Sequence, residues 1–207
     1  MQKIVLGVEV STEGWFNGRE FASGAFNHTF EEKRFLDNDL GPNTGCMGNV
    51  VFQASDDSKL VELLKRFEKP LRRIGYIGPI DLNCIVNEDG PFALELTPRL
   101  GYDAIEALAT MSEGDFTEQL SQLAKGTLLT PNFRTFLGVA VRIHVPPYPF
   151  NRADSDEKGR PIILPKNSNT TEENGFILLT DAFKDAKEKE PNVFSWAASD
   201  GAVAKVT

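Results

Sequence analysis

Histidine and cysteine are scarce in this chain of 207 residues, which contains two of each. Structural zinc sites need Cys and His ligands at short, regular spacings, and neither His28 nor His144 stands at such a spacing from Cys46 or Cys84. The sequence therefore excludes a zinc site of that kind. Because the N-terminus shows no signal-peptide pattern, we expect both cysteines to be free thiols in a reducing cytoplasm rather than one disulfide.

Long apolar runs and an excess of positive charge are also missing. No run approaches the roughly 20 residues that a membrane-spanning helix requires, which predicts a protein that does not cross a membrane. The formal net charge of −8 argues against nucleic-acid and anionic-membrane partners. A small phosphate ligand remains compatible with this charge, because a local basic cluster decides its binding. The hydrophobic fraction of 41% and the charged fraction of 25% are typical of a globular protein of one domain, or one and a half.

Glycine is concentrated in one polar segment, DNDLGPNTGCMG, at residues 37–48. Three glycines and a proline fall within its last eight residues, which predicts a loop and excludes a helix or an ordinary strand. Glycine lets the backbone adopt positive φ and lets a ligand approach the main chain closely. Free N–H groups in such a loop can form a nest for an anion, and Asn43 and Thr44 add short polar side chains.

The rest of the sequence alternates predicted strands and helices. Residues 3–35 are predicted to form β structure, because the segments 3–6 and 8–10 are rich in β-branched side chains. Apolar residues at helical spacing follow the polar residues 56–58, which can cap a helix, and Pro70 is expected to kink or end that helix. A strand pair is predicted at 77–86 and 92–97. Helices are predicted at 103–112 and at 115–125, and the second helix is expected to be capped by Asp115 and to stop at Gly126. The C-terminal part is predicted to contain a mostly loop region at 146–174 and strands at 136–143, 175–180, 192–197 and 202–206.

Three oxygen-bearing residues, Asp81, Glu95 and Thr97, lie on the predicted strand pair. Residues two apart on a strand share a face, so Glu95 and Thr97 point the same way, and Leu94 and Leu96 point into the core. If the two strands pair, Asp81 lies near Glu95, and two carboxylates so placed can hold Mg²⁺ against phosphate oxygens. The alternative is an amphipathic hairpin with a solvated acidic face, and the spacing alone favours that alternative.

The glycine-rich segment and the residues before it resemble a known family. Lys33-Arg34, then Asp37–Asp39, then Gly-Pro-Asn-Thr-Gly-x-Met-Gly at 41–48 is similar to the signature of the phosphoribosylamine–glycine ligases, also called glycinamide ribonucleotide synthetases. That family belongs to the ATP-grasp superfamily. The resemblance runs from about residue 4 to residue 101 and is weaker beyond residue 134.

The resemblance implies a nucleotide and metal site on the strand pair. In ATP-grasp enzymes an acid and an amide two residues apart hold Mg²⁺ beside the ATP phosphates, and an arginine follows. The implied ligands for Mg²⁺ (or Mn²⁺) are therefore Glu95, Thr97 and, by a looser match, Asp81. Thr97 stands where the family has asparagine, and a hydroxyl is a weaker metal ligand than an amide carbonyl. Arg99 is the implied catalytic residue, because it can stabilise charge on a transferring phosphoryl group.

The resemblance also implies residues that bind ATP and substrate. Glu9, in a segment similar to the family's Gly-x-Glu-x-Ser, and the pair Lys33 and Arg34 are candidates for cofactor binding. The alternatives are an exposed strand acid at Glu9 and a solvated cation pair partly neutralised by the preceding Glu31-Glu32. The implied substrate loop comprises Asp39, Gly41, Pro42, Asn43, Thr44 and Gly45.

For the fold, the resemblance implies an α+β protein. An ATP-grasp large lobe, made of an antiparallel sheet with flanking helices, is expected at residues 1–130. A small and incomplete C-terminal β domain is expected at residues 134–207. In the family an N-terminal domain and the small ATP-grasp lobe precede this region, so we expect the missing lobe to be supplied by the rest of the chain or by a partner.

The implied activity is an ATP- and Mg-dependent ligation of small molecules in cytoplasmic purine biosynthesis. The carboxylate of glycine takes the γ-phosphoryl group of ATP as an acyl phosphate, and the amine of phosphoribosylamine then displaces phosphate to form an amide. Such chemistry depends mainly on charge neutralisation and positioning. Two alternatives stay open. One is an ATP-grasp ligase with a different acid and amine, suggested by Thr97 and by the unmatched segment Leu100–Asp103, and the other is a non-catalytic remnant of the fold.

Overall fold

The structure of the chain is a computed structural model that describes residues 4–38, 40–128, 130–135, 137–146, 148–149, 159–164, 176–185, 188–197 and 202–207. The chain forms two compact units, each made of two sequence segments. The larger unit comprises Met1–Glu31 and Asn49–Val139, and the smaller unit comprises Glu32–Gly48 and Ala140–Thr207.

The larger unit is built on an antiparallel sheet. Its strands are β1 (Val8–Phe16), β2 (Asn27–Arg34), β3 (Asn43–Gln53), β4 (Gly78–Asn87) and β5 (Gly90–Thr97), which lie in the order β5-β4-β1-β2-β3. Both β2 and β3 also extend into the smaller unit. β1 pairs with β2 and β4, and β4 pairs with β5. The strand pair predicted at residues 77–86 and 92–97 is therefore confirmed as the β4–β5 hairpin.

The described residues of the larger unit also form four helices, α1 (Lys59–Lys65), α2 (Glu68–Ile74), α3 (Ala104–Met111) and α4 (Phe116–Ala124). The expected interruption near Pro70 comes earlier, because α1 ends at Lys65. Pro70 lies in the first turn of α2 instead, where a residue has no intrahelical N–H bond to lose. None of the helices in the described part of the chain has the length and apolarity needed to cross a membrane.

Helix α4 begins and ends as predicted. The Asp115 carboxylate accepts hydrogen bonds from the backbone N–H groups of Thr117 and Glu118, at 2.8 and 3.2 Å. These bonds satisfy two of the N–H groups that a helix leaves unpaired at its start. At the other end Gly126 has a φ of 69°, the left-handed conformation in which helices commonly stop.

Side chains cover both faces of the sheet near the end of β1. Phe16 packs in one apolar cluster with Leu64 of α1 and Leu71 of α2. Its neighbour Trp15 packs in another cluster with Leu123 of α4. Because adjacent residues on a strand point to opposite faces, α1 and α2 cover one face at this point and α4 covers the other.

The smaller unit consists mainly of short strands. β6 (Leu137–His144) enters it from the larger unit and pairs with β11 (Ala202–Val206), which pairs in turn with β8 (Ile177–Leu179). A second sheet contains β7 (Pro161–Ile163), β10 (Val193–Trp196) and β9 (Ala182–Phe183), in that order. The predicted strands are confirmed where they are described, although Phe136 lies outside the described residues. Within the region predicted as mostly loop, Pro161–Ile163 is a strand because it pairs with β10.

The glycine-rich segment is only partly a loop. The prediction that it excludes a strand is wrong from Asn43 onwards, because β3 begins there. None of its glycines uses the positive φ that glycine permits, and among the described residues of the segment this conformation falls at Asn38, with a φ of 57°. A Cβ added to Gly48 would lie 2.7 Å from the carbonyl oxygen of Ala140. In this strand Gly48 therefore permits the close approach of β6 rather than a turn.

The two cysteines are free thiols, as expected. Cys46 lies in β3 and Cys84 lies in β4. Both are buried and neither forms a disulfide. Burial raises the pKa of the Cys84 thiol above its ordinary value, and the nearby Asp81 adds to this effect.

Candidate active site

Eight polar side chains form two rows across four strands, on the face of β1 that carries Trp15. Directly opposed residues of an antiparallel pair share a face, and the register of β2, β1, β4 and β5 aligns them. In that strand order the first row is Thr29, Ser11, Asn83 and Glu95, and the second row is Asn27, Glu13, Asp81 and Thr97. The members on β2, β1 and β4 are buried, whereas Glu95 is exposed and Thr97 is half-buried. The two polar rows therefore lead from a buried region at β1 to solvent at β5.

Asp81 is the most buried of the three predicted metal ligands. Its side chain is 5% exposed and accepts a hydrogen bond from the Ser11 hydroxyl. Burial raises the pKa of Asp81 above its ordinary value. The Ser11 hydrogen bond and the Arg99 guanidinium lower the same pKa, and the Glu31 and Glu95 carboxylates raise it. A buried carboxylate with other carboxylates nearby is well suited to a cation, which would offset their mutual repulsion.

Glu13 is a buried acid that the sequence analysis missed. Its carboxylate accepts hydrogen bonds from Trp15 Nε1 at 3.1 Å, from Asn27 Nδ2 at 3.3 Å and from the backbone N–H of Gly101 at 2.8 Å. Burial raises the pKa of Glu13 to about 7. The three hydrogen bonds oppose this rise, and the neighbouring Asp81 carboxylate adds to it.

A pattern in the sequence points to Glu13 in retrospect. Glu9, Ser11 and Glu13 alternate along β1, and such a period of two places them on one face of a strand. The family motif in this strand ends at Ser11, so it did not point to Glu13. Asn83, another member of the polar rows, is likewise two residues from Asp81 on β4.

Side chains from two other strands hold the turn that follows β5. Glu13 on β1 accepts the hydrogen bond from Gly101, and Nδ2 of Asn49 on β3 donates to the carbonyl oxygen of Tyr102 at 3.0 Å. A Cβ at Gly101 would lie 2.9 Å from the Ala104 side chain, so the turn packs tightly against the start of α3. These contacts fix the backbone just beyond Arg99.

Arg99 itself is exposed at the open end of the polar rows. Its Nη1 donates to the carbonyl oxygen of Leu100 at 2.9 Å. Its backbone N–H donates to the carbonyl oxygen of Thr97, also at 2.9 Å. Because the Arg99 guanidinium lowers the pKa of Asp81, its charge acts on this end of the rows. An exposed cation beside buried oxygen donors is suited to a phosphate that approaches from solvent.

On β5 the two predicted ligands face the same side, as expected. Thr97 lies opposite Asp81, and Glu95 lies opposite Asn83. Glu95 is therefore a diagonal rather than a direct neighbour of Asp81. Diagonal side chains across a strand pair remain within reach of each other, and the Glu95 charge does raise the pKa of Asp81.

A β-bulge precedes Glu95 on β5. Asn83 pairs with Glu95 and Cys84 pairs with Ala93, so Leu94 is an extra residue in the ladder. The prediction that Leu94 points into the core is wrong, since its side chain is 37% exposed. The bulge interrupts the alternation of faces. Beyond it the alternation resumes, and Leu96 packs against the apolar cluster of α1 and α2 as predicted.

Asn83 joins the predicted residue Glu9 to the polar rows. Its Nδ2 donates to Glu9 Oε1 at 3.0 Å. The Asn83 side chain is 7% exposed, and within the described part of the structure its Oδ1 is buried without a hydrogen-bond partner. Glu9 is half-buried, so the alternative of a merely exposed strand acid does not describe it.

The chemistry of these donors fits Mg²⁺ or Mn²⁺. Asp81, Glu95 and Thr97 offer oxygen ligands on neighbouring strands, and Asn83 Oδ1 is an oxygen without a partner in the described residues. Magnesium prefers such hard oxygen ligands and commonly uses only one or two carboxylates while keeping several waters. The described residues contain no group of three or more His, Cys, Asp or Glu arranged to hold a metal. The neutral oxygens of Thr97 and Asn83 lie on the same face as the two carboxylates.

The remaining predicted residues lie in the smaller unit, around the connection from β2 to β3. Nη1 of Arg34 donates to the carbonyl oxygen of Gly41 at 3.0 Å, and the Thr44 hydroxyl donates to that of Lys33 at 2.9 Å. The backbone N–H of Phe35 donates to the Pro42 carbonyl oxygen at 3.1 Å. These bonds bring the cation pair and the predicted substrate loop together.

Within that loop, each position has its own environment. Gly41 is buried, and a Cβ there would lie 2.7 Å from the backbone nitrogen of Leu36. Pro42, Asn43 and Gly45 are exposed, and Thr44 is half-buried. Asp39, the other predicted member of the loop, lies outside the described residues.

Comparison with known protein families and curated sequences identifies relatives for most of the chain. No family model matches. The chain is 31% identical over 173 residues to the phosphoribosylamine–glycine ligase of Thermotoga maritima, which covers 80% of this chain and 41% of that protein. It is 28% identical over 134 residues to the enzyme of the same name from Methanosarcina barkeri, covering 59% of this chain and 30% of that protein. The chain thus spans less than half the length of these relatives.

Solved structures extend the similarity to nearly the whole chain. The phosphoribosylamine–glycine ligase of Thermotoga maritima superimposes with a TM-score of 0.73 and 25% identity, over 99% of this chain and 49% of that one. The biotin carboxylase domain of a single-chain bacterial carboxylase shares the fold alone, with a TM-score of 0.52 and 10% identity over 99% of this chain and 43% of that one. The expected ATP-grasp α+β fold is confirmed, as is the resemblance to the ligases.

Proposed function

We propose that this chain, a relative of the phosphoribosylamine–glycine ligases with the ATP-grasp fold, is the metal- and phosphate-binding part of an ATP-dependent carbon–nitrogen ligase. The proposed reaction joins glycine to phosphoribosylamine as an amide, through an acyl phosphate, in cytoplasmic purine biosynthesis. The observation that carries the proposal is the set of oxygen donors Asp81, Glu95 and Thr97 beside Arg99, at the open end of the polar rows.

The residues at this end of the rows have distinct proposed roles. Asp81, Glu95 and Thr97 hold Mg²⁺ or Mn²⁺, which supplies the positive charge that neutralises the phosphates of ATP. Arg99 stabilises the negative charge on the phosphoryl group that passes to the carboxylate of the acid substrate. Glu13 and Asn49, through the turn at Gly101 and Tyr102, keep the backbone beside Arg99 in place.

A second set of residues is proposed to bind nucleotide and substrate. Glu9, Lys33 and Arg34 contribute to ATP binding, the two cations because they can pair with phosphate oxygens. The hydrogen bonds that tie Arg34 to Gly41 and Thr44 to Lys33 support a shared role for the cations and the loop. The proposed substrate loop comprises Asp39, Gly41, Pro42, Asn43, Thr44 and Gly45.

The complete reaction is proposed to need more than this chain. The chain covers 41% of its Thermotoga maritima relative, so an N-terminal lobe is supplied either by further residues of the same protein or by a partner. Within the chain we propose an ATP-grasp domain at residues 1–130 and a small C-terminal β domain at residues 134–207. The remaining partners are small-molecule substrates, with neither nucleic acid nor a membrane among them.

Two alternatives have specific support. Thr97 and the segment Leu100–Asp103 depart from the ligase pattern, which favours an ATP-grasp ligase that uses a different acid and amine. The exposure of Glu95, and the absence of a three-acid group among the described residues, favour a non-catalytic remnant of the fold.

The first test is calorimetric titration of Mg·ATP into this chain and into two variants. Glu95→Ala removes a proposed metal ligand and is expected to weaken binding by ten-fold or more, about 1.4 kcal/mol. Glu88→Ala is the matched control, because Glu88 is an exposed acid in the turn of the same hairpin, and it is expected to bind like the wild type. Absence of binding by the folded wild-type chain, or equal binding by the Glu95→Ala variant, contradicts the proposal.

Substrate identity requires a second measurement, made on this chain together with the N-terminal part of its relatives. Release of ADP that requires both glycine and phosphoribosylamine supports the proposed reaction. Release with another acid and amine from a panel supports the first alternative. Binding of Mg·ATP without turnover of any pair supports the second.

A further inference from the structure

Thr97 raises a chemical question about the proposed metal site. A threonine hydroxyl stands where the resembled family has an asparagine, whose amide carbonyl is the stronger metal ligand. An amide carbonyl is nevertheless present in the polar rows. Asn83 lies on β4, opposite Glu95 and two residues from Asp81, and the pleat of the strands places all three on one face.

We propose that Asn83 Oδ1 is a metal ligand of this chain, supplying from β4 the neutral amide oxygen that β5 lacks at Thr97. The metal-binding set is then Asp81, Asn83 and Glu95, with Thr97 in a minor role. This inference rests on the proposed function only to the extent that the site binds a divalent cation.

The orientation of the Asn83 amide is fixed by its neighbour on β1. Nδ2 donates to Glu9 Oε1 at 3.0 Å, a bond that only the NH₂ side of the amide can supply. The amide group must therefore turn its NH₂ towards Glu9 and its carbonyl oxygen away from it. Glu9 acts in this way as a positioning residue for the Asn83 oxygen.

The Asn83 oxygen is buried but unused within the described structure. Its Oδ1 has no hydrogen-bond partner there, and the side chain is 7% exposed. Burying a carbonyl oxygen without a partner is unfavourable. A cation that takes one of the oxygen's lone pairs removes that penalty, so this oxygen gains more from a metal than an exposed one would.

The hydroxyl directly opposite Asn83 in the sheet bonds to a different residue. Ser11 lies directly opposite Asn83 in the β1–β4 ladder, yet its hydroxyl donates a hydrogen bond to Asp81. That hydrogen bond orients the Asp81 carboxylate and leaves the Asn83 oxygen without a donor. The arrangement favours an anionic and a neutral oxygen side by side on β4, which is the mixture of ligands that Mg²⁺ and Mn²⁺ accept.

The test is a titration of the whole chain with Mn²⁺ alone. The electron paramagnetic resonance signal of the free ion reports how much Mn²⁺ is bound. Asn83→Ala is expected to weaken Mn²⁺ binding about ten-fold, since loss even of residues behind a metal's ligands costs 10- to 100-fold. Asn83→Asp keeps an oxygen and is expected to bind at least as well as the wild type. Asn17→Ala is the matched control, because Asn17 is also a buried asparagine, its side chain bonds to Leu128, Arg19 and Glu20 rather than to the polar rows, and its loss should leave Mn²⁺ affinity unchanged.

A rescue variant separates ligation from a structural role. Thr97→Asn, added to Asn83→Ala, returns an amide oxygen to the site from β5 and is expected to restore Mn²⁺ affinity to within about three-fold of the wild type. It does not restore the hydrogen bond to Glu9. If Asn83 served only to hold Glu9, the double variant would stay as weak as Asn83→Ala.

Three results would overturn the inference. They are wild-type Mn²⁺ affinity in a folded Asn83→Ala variant, failure of Thr97→Asn to restore binding, and a wild-type chain that binds no Mn²⁺. Asn83→Leu, of similar volume, replaces Asn83→Ala if the smaller side chain prevents folding. The proposed function is judged separately by the Mg·ATP titration with Glu95→Ala, which can succeed even where Asn83 proves not to be a ligand.

Discussion

The Glu13 carboxylate on β1 accepts a hydrogen bond from the backbone N–H of Gly101, at 2.8 Å and across 88 positions of sequence. The other oxygen of the same carboxylate accepts from Trp15 and Asn27. A single buried side chain thus connects two strands and the turn that follows β5. Arg99 stands two residues before Gly101, so this connection bears on the proposed active site as well as on stability.

Replacement of Glu13 by alanine is expected to destabilise the larger unit. It leaves three buried N–H donors without their acceptor, and an unpaired buried donor costs about 1–3 kcal/mol. We expect the free energy of unfolding in urea at pH 4.5, where the buried carboxyl keeps its proton, to fall by at least about 3 kcal/mol. Glu20→Ala, at an exposed position near the end of β1, is the control and should change stability little. A loss below about 1 kcal/mol for Glu13→Ala would contradict the role assigned to these hydrogen bonds.

The stability of the chain is expected to fall as the pH rises from 4.5 to 8. The pKa of Glu13 is raised from 4.5 to about 7 in the folded chain, so the folded state holds this proton more tightly than the unfolded state. The resulting stabilisation is complete below pH 4.5 and is lost as the pH rises through 7. At about 1.4 kcal/mol per pKa unit, it amounts to about 3 kcal/mol. Asp81, whose pKa is also raised, acts in the same direction.

Urea unfolding across this pH range measures the effect, with Glu13→Gln as the comparison. Glutamine has a similar shape but does not titrate, so its variant should lose the Glu13 part of the slope. The remainder combines Asp81 with the opposite contribution of His28, whose pKa is lowered by burial. Stability that increases with pH over this range, or an unchanged slope in the Glu13→Gln variant, would refute the assignment.

Two glycines of β3 are expected to respond differently to the same substitution. A Cβ at Gly48 would meet the Ala140 carbonyl oxygen at 2.7 Å, whereas nothing lies within 4 Å of a Cβ at Gly45. Gly48→Ala should therefore cost about 1–3 kcal/mol, the usual range for overpacking. Gly45→Ala should be neutral or stabilise by about 0.4–1 kcal/mol, because it restricts the unfolded chain. Thermal unfolding of the two variants tests this difference, and equal effects would count against it.

Arg99 is expected to strengthen the binding of nucleotide but not the binding of metal alone. Removing its positive charge takes away an attraction for phosphate and also a repulsion of the cation at Asp81. Arg99→Ala should weaken Mg·ATP binding about ten-fold, about 1.4 kcal/mol, while Mn²⁺ alone binds as well as before or better. Arg73→Ala, at an exposed site in α2, is the control for a general loss of charge. Parallel losses of both ligands in Arg99→Ala would mean that the arginine supports the structure instead.

Local signals in the sequence were sufficient for several elements. Asp115 and Gly126 bracket α4 because capping and left-handed stops depend on a few adjacent residues. The hairpin of β4 and β5 follows from two apolar runs around a short turn. The shared face of Glu95 and Thr97 needed only the period of a strand.

Other features depend on contacts that no local pattern contains. β3 begins inside a glycine-rich segment because β6, nearly 100 residues later, lies against it at Gly48. The roles of Glu13 and Asn83 arise from the pairing of β1 with β4, which joins residues about 70 positions apart. The resemblance identified Glu95 and Arg99. It gave no sign of Glu13 or Asn83, because neither of these two residues belongs to the family motifs.

The bulge at Leu94 allows the hairpin to change in length without changing the register of the proposed metal ligands. The extra residue lies between the turn at Asn87–Gly90 and the ladder that contains Glu95. A one-residue insertion or deletion on the turn side of Glu95 can be absorbed by enlarging or removing the bulge. Glu95 then remains opposite Asn83, and Thr97 remains opposite Asp81. The hairpin can therefore change in length by one residue while the oxygen donors keep the same alignment.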